Sequence, residues 1–263
     1  MDLGLKDRVA IVAASSQGLG KGVALAMARE GAKLVICART PETIQAAAEE
    51  IRNETGVEVL ARAMDVTAGD QVHELVEAAQ KRFGRIDICV TNAGGPPSKT
   101  FAETSADDWI SAVNLNLMST VHFAREVLPV MQKQRWGRFI TITSVAVKQP
   151  IDGLILSNSV RSAVNGLVKS LANEYGSYNV LVNNVCPGYT RTERLTELST
   201  RLAARGATTP AQIERHWTSQ IPLGRLAEVE EFANVVTFLA SERASYLSGA
   251  SIAIDGGLVR GIT

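Results

Sequence analysis

Two glycines set two residues apart stand in the run Ser15-Ser16-Gln17-Gly18-Leu19-Gly20, between an apolar stretch and a segment of helical periodicity. Glycine lets the backbone turn tightly and come close to a ligand. The free N–H groups at the start of a following helix attract negative charge, so this run has the chemistry of a pyrophosphate cradle. A βα connection that is merely rich in glycine would look the same, and the weight of the motif rests on its surroundings.

Those surroundings fit. Val9 to Ala13 is a short apolar strand ahead of the loop, and the helix behind it carries Val23, Ala24, Met27 and Ala28 at helical spacing. A second strand, Lys33 to Ala38, ends in Arg39. Strand, glycine loop, helix and strand make a βαβ unit of nucleotide-binding length. The pattern continues with strands at Gly56 to Met64, Ile86 to Val90, Phe139 to Thr143, Val180 to Val185 and Ser251 to Ile254. Between them the periodicity predicts helices over Gln71 to Phe83, closed by Gly84, over Asp108 to Lys133 as one long helix, over 158–176, and over Glu228 to Ala240. Alternating strands and helices predict an α/β fold. We expect one Rossmann-like, doubly wound parallel sheet of about seven strands, helices on both faces and ligand at the carboxyl ends of the strands. No linker or repeat interrupts 1–263, read as a single domain, and the polar, helix-forming insertion Thr192 to Leu223 is long enough to act as a lid.

Composition narrows the function. The 27 basic and 27 acidic residues balance with no basic run, which argues against a nucleic-acid partner. The N-terminus MDLGLKDRVA lacks a signal-peptide core and no apolar segment is long enough for a bilayer, so a cytoplasmic protein with no membrane partner is expected. Cys37, Cys89 and Cys186 sit singly in apolar runs, as small core residues rather than a disulfide framework. His73, His122 and His216 are isolated, and no metal site is expected.

The motifs taken together resemble the short-chain dehydrogenase/reductase family, in the branch of 3-oxoacyl-ACP reductases and of sugar and steroid dehydrogenases, from about Leu5 to Gly257. The pieces are Ser15 to Gly20, Asp65-Val66, Asn92-Ala93-Gly94, Trp109 with Asn116, Ser144, Pro187-Gly188, Gly224-Arg225 and Asp255-Gly256-Gly257. Each is weak, and their order and spacing are specific. The resemblance implies that Asp65 faces an adenine, that Asn92-Ala93-Gly94 lines the adenosine ribose, and that Pro187-Gly188 with Thr192 holds a nicotinamide carboxamide. It also implies a homotetramer built on the helices around 108–133 and 158–176, with His122 at an inter-subunit face. The family usually has Thr-Gly where this chain has Ala13-Ala14, and an alanine at 14 suits the loop if its φ stays negative. An acid at the end of the second strand would accept a ribose 2′-OH, whereas a base pairs a 2′-phosphate. Arg39 stands there with no acid, which favours NADP(H) over NAD(H); the alternative is a solvated Arg39 stacked on the adenine.

The catalytic stretch departs from the family. Its apparatus is an Asn, a Ser, a Tyr and a Lys, and Asn116 and Ser144 match the first two. Counting back from Lys169-Ser170-Leu171-Ala172 and forward from Ser144 places the Tyr position on Ser157 and the Lys position on Arg161. An aliphatic hydroxyl is a far poorer acid than a phenol, whose ordinary pKa is about 10, and Ser157 lacks the ring that would carry its oxygen to a substrate. Arg161 keeps the charge and donors for ribose hydroxyls but cannot shuttle protons. Cofactor binding is therefore expected to survive better than proton transfer.

Tyr189, directly after Pro187-Gly188, is a candidate replacement acid or else an aromatic cleft wall. Lys148 and Asp152 flank the same cleft, and Trp217 is a lid aromatic or a packing anchor. Arg191, Arg194, Arg201, Arg205 and Arg215 either recognise an anionic or phosphopantetheine-linked substrate or form a solvated face balanced by Glu193, Glu197 and Glu214. Two functions stay open. One is an NADP(H)-dependent reductase of a small-molecule carbonyl, or dehydrogenase of an alcohol, with an altered proton relay. The other is a cofactor-binding sensor or structural subunit that has lost turnover.

Overall fold

The structure is a computed structural model describing residues 1–262, with the side chain of Arg205 outside that description. Seven strands form one parallel sheet: β1 Val9–Ala13, β2 Lys33–Ala38, β3 Val59–Ala63, β4 Ile88–Thr91, β5 Gly137–Ile142, β6 Val180–Pro187 and β7 Ser251–Ile254, ordered β3-β2-β1-β4-β5-β6-β7. Order reverses between β1 and β4, and a sheet wound this way opens a crevice at the carboxyl ends of those two strands.

Side chains alternate across each strand, so the sheet buries both faces. On one face Ala10, Val12, Leu34 and Ile36 meet α1 (Gly18–Arg29), α2 (Pro41–Thr55) and α9 (Val229–Leu239) through Met27, Ile44, Ile51, Phe232 and Val236. On the other, Val9, Ile11, Val35 and Cys37 meet α3 (Gly69–Phe83), α5 (Ser119–Gln134) and α6 (Ile155–Tyr175) through Leu75, Phe123, Leu128 and Val164. Strands β1 to β6 each contribute to both cores, which fixes their register, while β7 adds Ile252 and Ile254 to the first alone. Gly84, at φ 75°, closes α3 as expected. All three cysteines are buried and unpaired, and burial pushes the Cys37 thiol up to about 12. Among the described residues no helix is long and apolar enough to cross a membrane, and no His, Cys, Asp and Glu side chains converge on a common metal position. At the amino-terminal edge of the sheet Asp87 is fully buried and accepts from Arg8 Nη1 at 3.1 Å and Arg85 Nη2 at 2.6 Å, closing the end opposite the crevice.

Local structure differs from the sequence reading chiefly in three places. A helix, α2, fills residues 41–55, to which the periodicity assigns nothing. The third strand shortens from 56–64 to Val59–Ala63. The long helix expected over 108–133 is α4 (Ala106–Ala112), a π-helical turn over Val113–Met118, and α5. Its start is fixed by a capping box in which Ser105 Oγ accepts from Asp108 N at 3.2 Å while Ser105 N donates to Asp108 Oδ2 at 2.8 Å. The insertion 192–223 is helical as its composition predicts, forming α7 (Glu193–Arg205) and α8 (Pro210–Gln220). Arg191 ties α8 to the start of α9, with Nη1 on Glu214 and Nε on Glu228, both at 3.2 Å.

Candidate functional site

The loop between β1 and α1 is pinned from beneath. Ser15 is fully buried; its Oγ donates to Val12 O at 2.8 Å and its N–H to Cys37 O at 3.0 Å. A methyl group on Gly20 would collide with the carbonyl oxygen of Ala14, so only glycine lets α1 rise so close to the strand. Gln17 makes no side-chain cap on α1, which leaves the first N–H groups of the helix facing the crevice. The expectation for Ala14 is corrected here: its φ is +50°, not negative. The chain must reverse within one residue between β1 and the buried Ser15, and the left-handed conformation does this at a cost of about 1–2 kcal/mol for a residue with a Cβ.

From this loop a groove of about 910 Å³ runs along the carboxyl ends of the strands. Of the residues singled out in the sequence, Ser16, Gln17, Gly18, Leu19, Arg39, Asp65, Val66, Asn92, Ala93, Gly94, Ser144, Ser157, Arg161, Pro187, Gly188 and Thr192 all line it. Ser15, Gly20 and Asn116 lie behind its wall. Arg39 is exposed at the mouth and makes no ion pair among the described residues. Asp65 Oδ1 accepts from Thr67 N at 2.9 Å and Oγ1 at 2.8 Å, which holds the turn after β3. Asn92 Nδ2 donates to Ala14 O at 3.4 Å. Thr192 caps α7, its Oγ1 accepting from Leu195 N at 3.3 Å.

At the inner end of the groove the polar groups converge on the backbone. Asn116 Nδ2 donates to Gly94 O at 2.9 Å, while its buried Oδ1 accepts from no protein group. Ser144 Oγ accepts from Ala146 N at 3.1 Å, leaving its proton free to donate. Arg161 is buried, with Nη1 donating to Thr143 O at 2.7 Å and Ile142 O at 3.4 Å, and Nη2 to Gly94 O at 3.4 Å. Burial, aided by the charge of Arg194, draws its pKa down to about 10, so it is a cation at neutral pH. Beneath these residues Asn184 Oδ1 accepts from Thr141 at 2.9 Å and Thr143 at 2.8 Å, and Asn184 Nδ2 donates to Ser251 at 2.9 Å. This buried network fixes the ends of β5, β6 and β7.

A second cavity of about 770 Å³ adjoins the groove, sharing Ser98, Leu154 and Leu198 with it. Val145, Asp152, Tyr189 and Trp217 line it, and Lys148 lines neither cavity. Tyr189 and Trp217 stack with ring centroids 4.9 Å apart, and both line this cavity. Burial raises the Tyr189 phenol above its ordinary pKa, so it is a weaker acid than a free tyrosine. The structure puts this phenol in the second cavity, while Ser157 and Arg161 belong to the groove.

The insertion arginines separate. Arg191 is held by two carboxylates, Arg201 and Arg215 are exposed, and Arg194 reaches back across the groove with Nη2 on Gly95 O at 3.5 Å. Nothing in their spacing distinguishes Arg194 from Arg201; only the position of α7 against the loop after β4 does.

Residues 13–259 match the family described as enoyl-(acyl carrier protein) reductase. The 3-oxoacyl-(acyl-carrier-protein) reductase FabG of Aquifex aeolicus is 35% identical over 258 residues, which cover 98% of this chain and 100% of that protein. L-sorbose reductase from Gluconobacter frateurii, solved with NADPH and L-sorbose, superposes with a TM-score of 0.95 at 32% identity, covering 100% of both chains. Actinorhodin polyketide ketoreductase, solved with NADPH, superposes with a TM-score of 0.93 at 28% identity over 97% of this chain and 98% of that one.

Proposed function

The chain belongs to the short-chain dehydrogenase/reductase family of oxidoreductases, and we propose that it uses NADP(H) to reduce a small-molecule carbonyl, or oxidise the alcohol, with an altered proton relay. The observation that carries this reading is the single groove joining the Gly18 loop, Arg39, Asn92 to Gly94, Ser144, Arg161 and Pro187-Gly188, with a second cavity beside it. The residues suit the cofactor. The Gly20 cradle and the uncapped start of α1 would take the pyrophosphate. Asp65 and Val66 would flank the adenine, Arg39 would pair a 2′-phosphate, and Thr192 would face the carboxamide. The sorbose reductase and actinorhodin ketoreductase structures hold NADPH, which supports the preference for NADP(H). When bound, NADPH would supply the hydride, and one proton drawn from solvent would complete the alcohol.

The chain's own residues then divide the work. Ser144 has a hydroxyl proton to offer the substrate oxygen. Arg161 holds positive charge beside it but keeps its proton, and Ser157 leaves room where a phenol would reach. Proton delivery therefore falls to Ser144 and solvent, which costs rate rather than binding. A cytoplasmic homotetramer belongs to the same proposal; the three unpaired cysteines suit a reducing compartment.

One observation favours the second reading, a cofactor-binding sensor or subunit: Arg161 spends two of its nitrogens on backbone carbonyls. Fluorescence titration with NADPH and NADH, followed by NADPH oxidation against a ketone panel that includes an acetoacetyl thioester, separates the two. The expected result is tighter binding of NADPH and slow turnover of a panel member by wild type. Binding without turnover, restored by Ser157→Tyr with Arg161→Lys, would make this the sensor or subunit.

A further inference from the structure

A guanidinium enclosed by protein is unfavourable unless an opposite charge meets it. Arg161 is such a group: it is 7% exposed and reaches only carbonyl oxygens. The carboxylates that line the groove are Asp65, Glu193 and Glu197, and none forms an ion pair with it among the described residues. Glu193 turns instead toward Gly18, where its Oε2 would lie 3.8 Å from an added Cβ. A second guanidinium faces the first. An added Cβ on Gly95 would stand 3.4 Å from Arg194 Nη2 and 4.0 Å from Arg161 Nη2, so the two cations flank one glycine with nothing of opposite charge between them.

The position of this pair selects the ligand. Arg161 donates to the carbonyl of Thr143, the residue before Ser144, at 2.7 Å. Arg161, Thr143 and Ser144 line one groove, which brings a group held by Arg161 to the same end of it as an oxygen held by Ser144. We infer that Arg161 and Arg194 form a subsite for a carboxylate of the substrate, adjacent to the reacting carbonyl, so that the substrate class is a 2-oxo acid or the matching 2-hydroxy acid. The Nη2 atoms of Arg161 and Arg194, each held only by a long contact of 3.4 Å to Gly94 O and 3.5 Å to Gly95 O, are placed to donate one to each carboxylate oxygen. The remainder of the substrate enters the second cavity, whose stacked Tyr189 and Trp217 with Val145 and Leu154 suit an apolar or ring-bearing body. This rests on the reading of the groove as a cofactor and carbonyl site. The competing source of the same chemistry is a phosphate of the cofactor.

Calorimetric titration of the free and the NADP⁺-loaded protein with phenylpyruvate and with uncharged 4-phenylbutan-2-one tests the subsite, beside NADPH titration of each variant. Phenylpyruvate is expected to bind at least ~10-fold tighter than the ketone. Arg194→Ala, at an exposed position that does not threaten folding, and Gly95→Ala, which puts a methyl group between the guanidiniums, are each expected to remove most of that preference. NADPH affinity should change less than about twofold. Equal binding of the two probes by wild type overturns the subsite. So does a loss of NADPH affinity in Arg194→Ala as large as the loss for phenylpyruvate, because the pair would then hold a cofactor phosphate. Failure of wild type to bind NADPH overturns the cofactor reading, while the ratio of the two probes on the free protein still decides the subsite.

Discussion

At Ala14 a single methyl group sits in a conformation that glycine adopts freely, with φ +50°. The loop's other contacts, Ser15 to Cys37 and Asn92 to the Ala14 carbonyl, hold the residue there. Ala14→Gly relieves the steric cost and gives back part of the gain as unfolded-chain entropy, so the variant should be more stable by about 1 kcal/mol. Calorimetry should read a Tm about 2–4 °C higher, and a Tm at or below wild type would mean that the loop carries no such strain. Ser157 and Arg161 show the other side of residue-scale reasoning. Their types were enough to predict a weakened proton relay, because hydroxyl acidity and guanidinium charge are properties of the side chain. Where the Arg161 donors end, on Thr143, Ile142 and Gly94, depends on how closely α6 approaches β4 and β5.

Among the elements, α4 is the one whose fixing matters to the site, since it leads through the π-helical turn to Asn116. Asp108 anchors its first turn, accepting from Lys99 Nζ at 2.7 Å and from Ser105 N at 2.8 Å. The hydrogen bond from Lys99, followed by those from Ser105, lowers the Asp108 pKa from 3.8 to about 2. A carboxylate whose pKa falls on folding stabilises the native state above its unfolded value, and that contribution is lost as pH falls toward the folded value. Asp108→Asn should therefore lower Tm at pH 7 by no more than a few degrees, because the pair faces solvent. Thermal melts from pH 7 downward should show the gap between variant and wild type closing between pH 3.8 and about 2; a gap independent of pH would assign the loss to something other than this charge. The π-helical turn itself left no mark in the apolar periodicity, since one wider turn shifts the pattern too little to detect. The helix over 41–55 leaves a weak trace for a similar reason. Its polar outer face dilutes the apolar positions Ile44, Ala47, Ala48 and Ile51, which only their burial against the sheet makes plain.

For the whole molecule, both cores reach the floor of the groove, through Ala38 and Ile142 on one face and Met64 and Val66 on the other, while the buried Asp87 cluster closes the opposite end of the sheet. Large apolar side chains that remain exposed include Ile110 on α4 and Tyr246 and Leu247 before β7. Exposed apolar surface of this kind supports association of copies. Light scattering coupled to size exclusion should give four times the chain mass; a monomer mass at micromolar protein would remove the tetramer.

Apolar periodicity and the glycine loop determined the alternation of strands and helices and the parallel sheet, because backbone sterics and burial act locally and leave a regular trace; the order of the strands in the sheet came from the packing. The side-chain types at 39, 157 and 161 likewise set the expectations for phosphate pairing and proton transfer that the titrations and turnover assays test. Tertiary structure alone decided the rest. It set Ala14 left-handed, drew Tyr189 into a stack with Trp217 in a separate cavity, and selected Arg194 out of a set of similar arginines to face Arg161 across Gly95. Each of these depends on how closely segments distant in sequence approach one another, and such distances are fixed by the packing of whole elements.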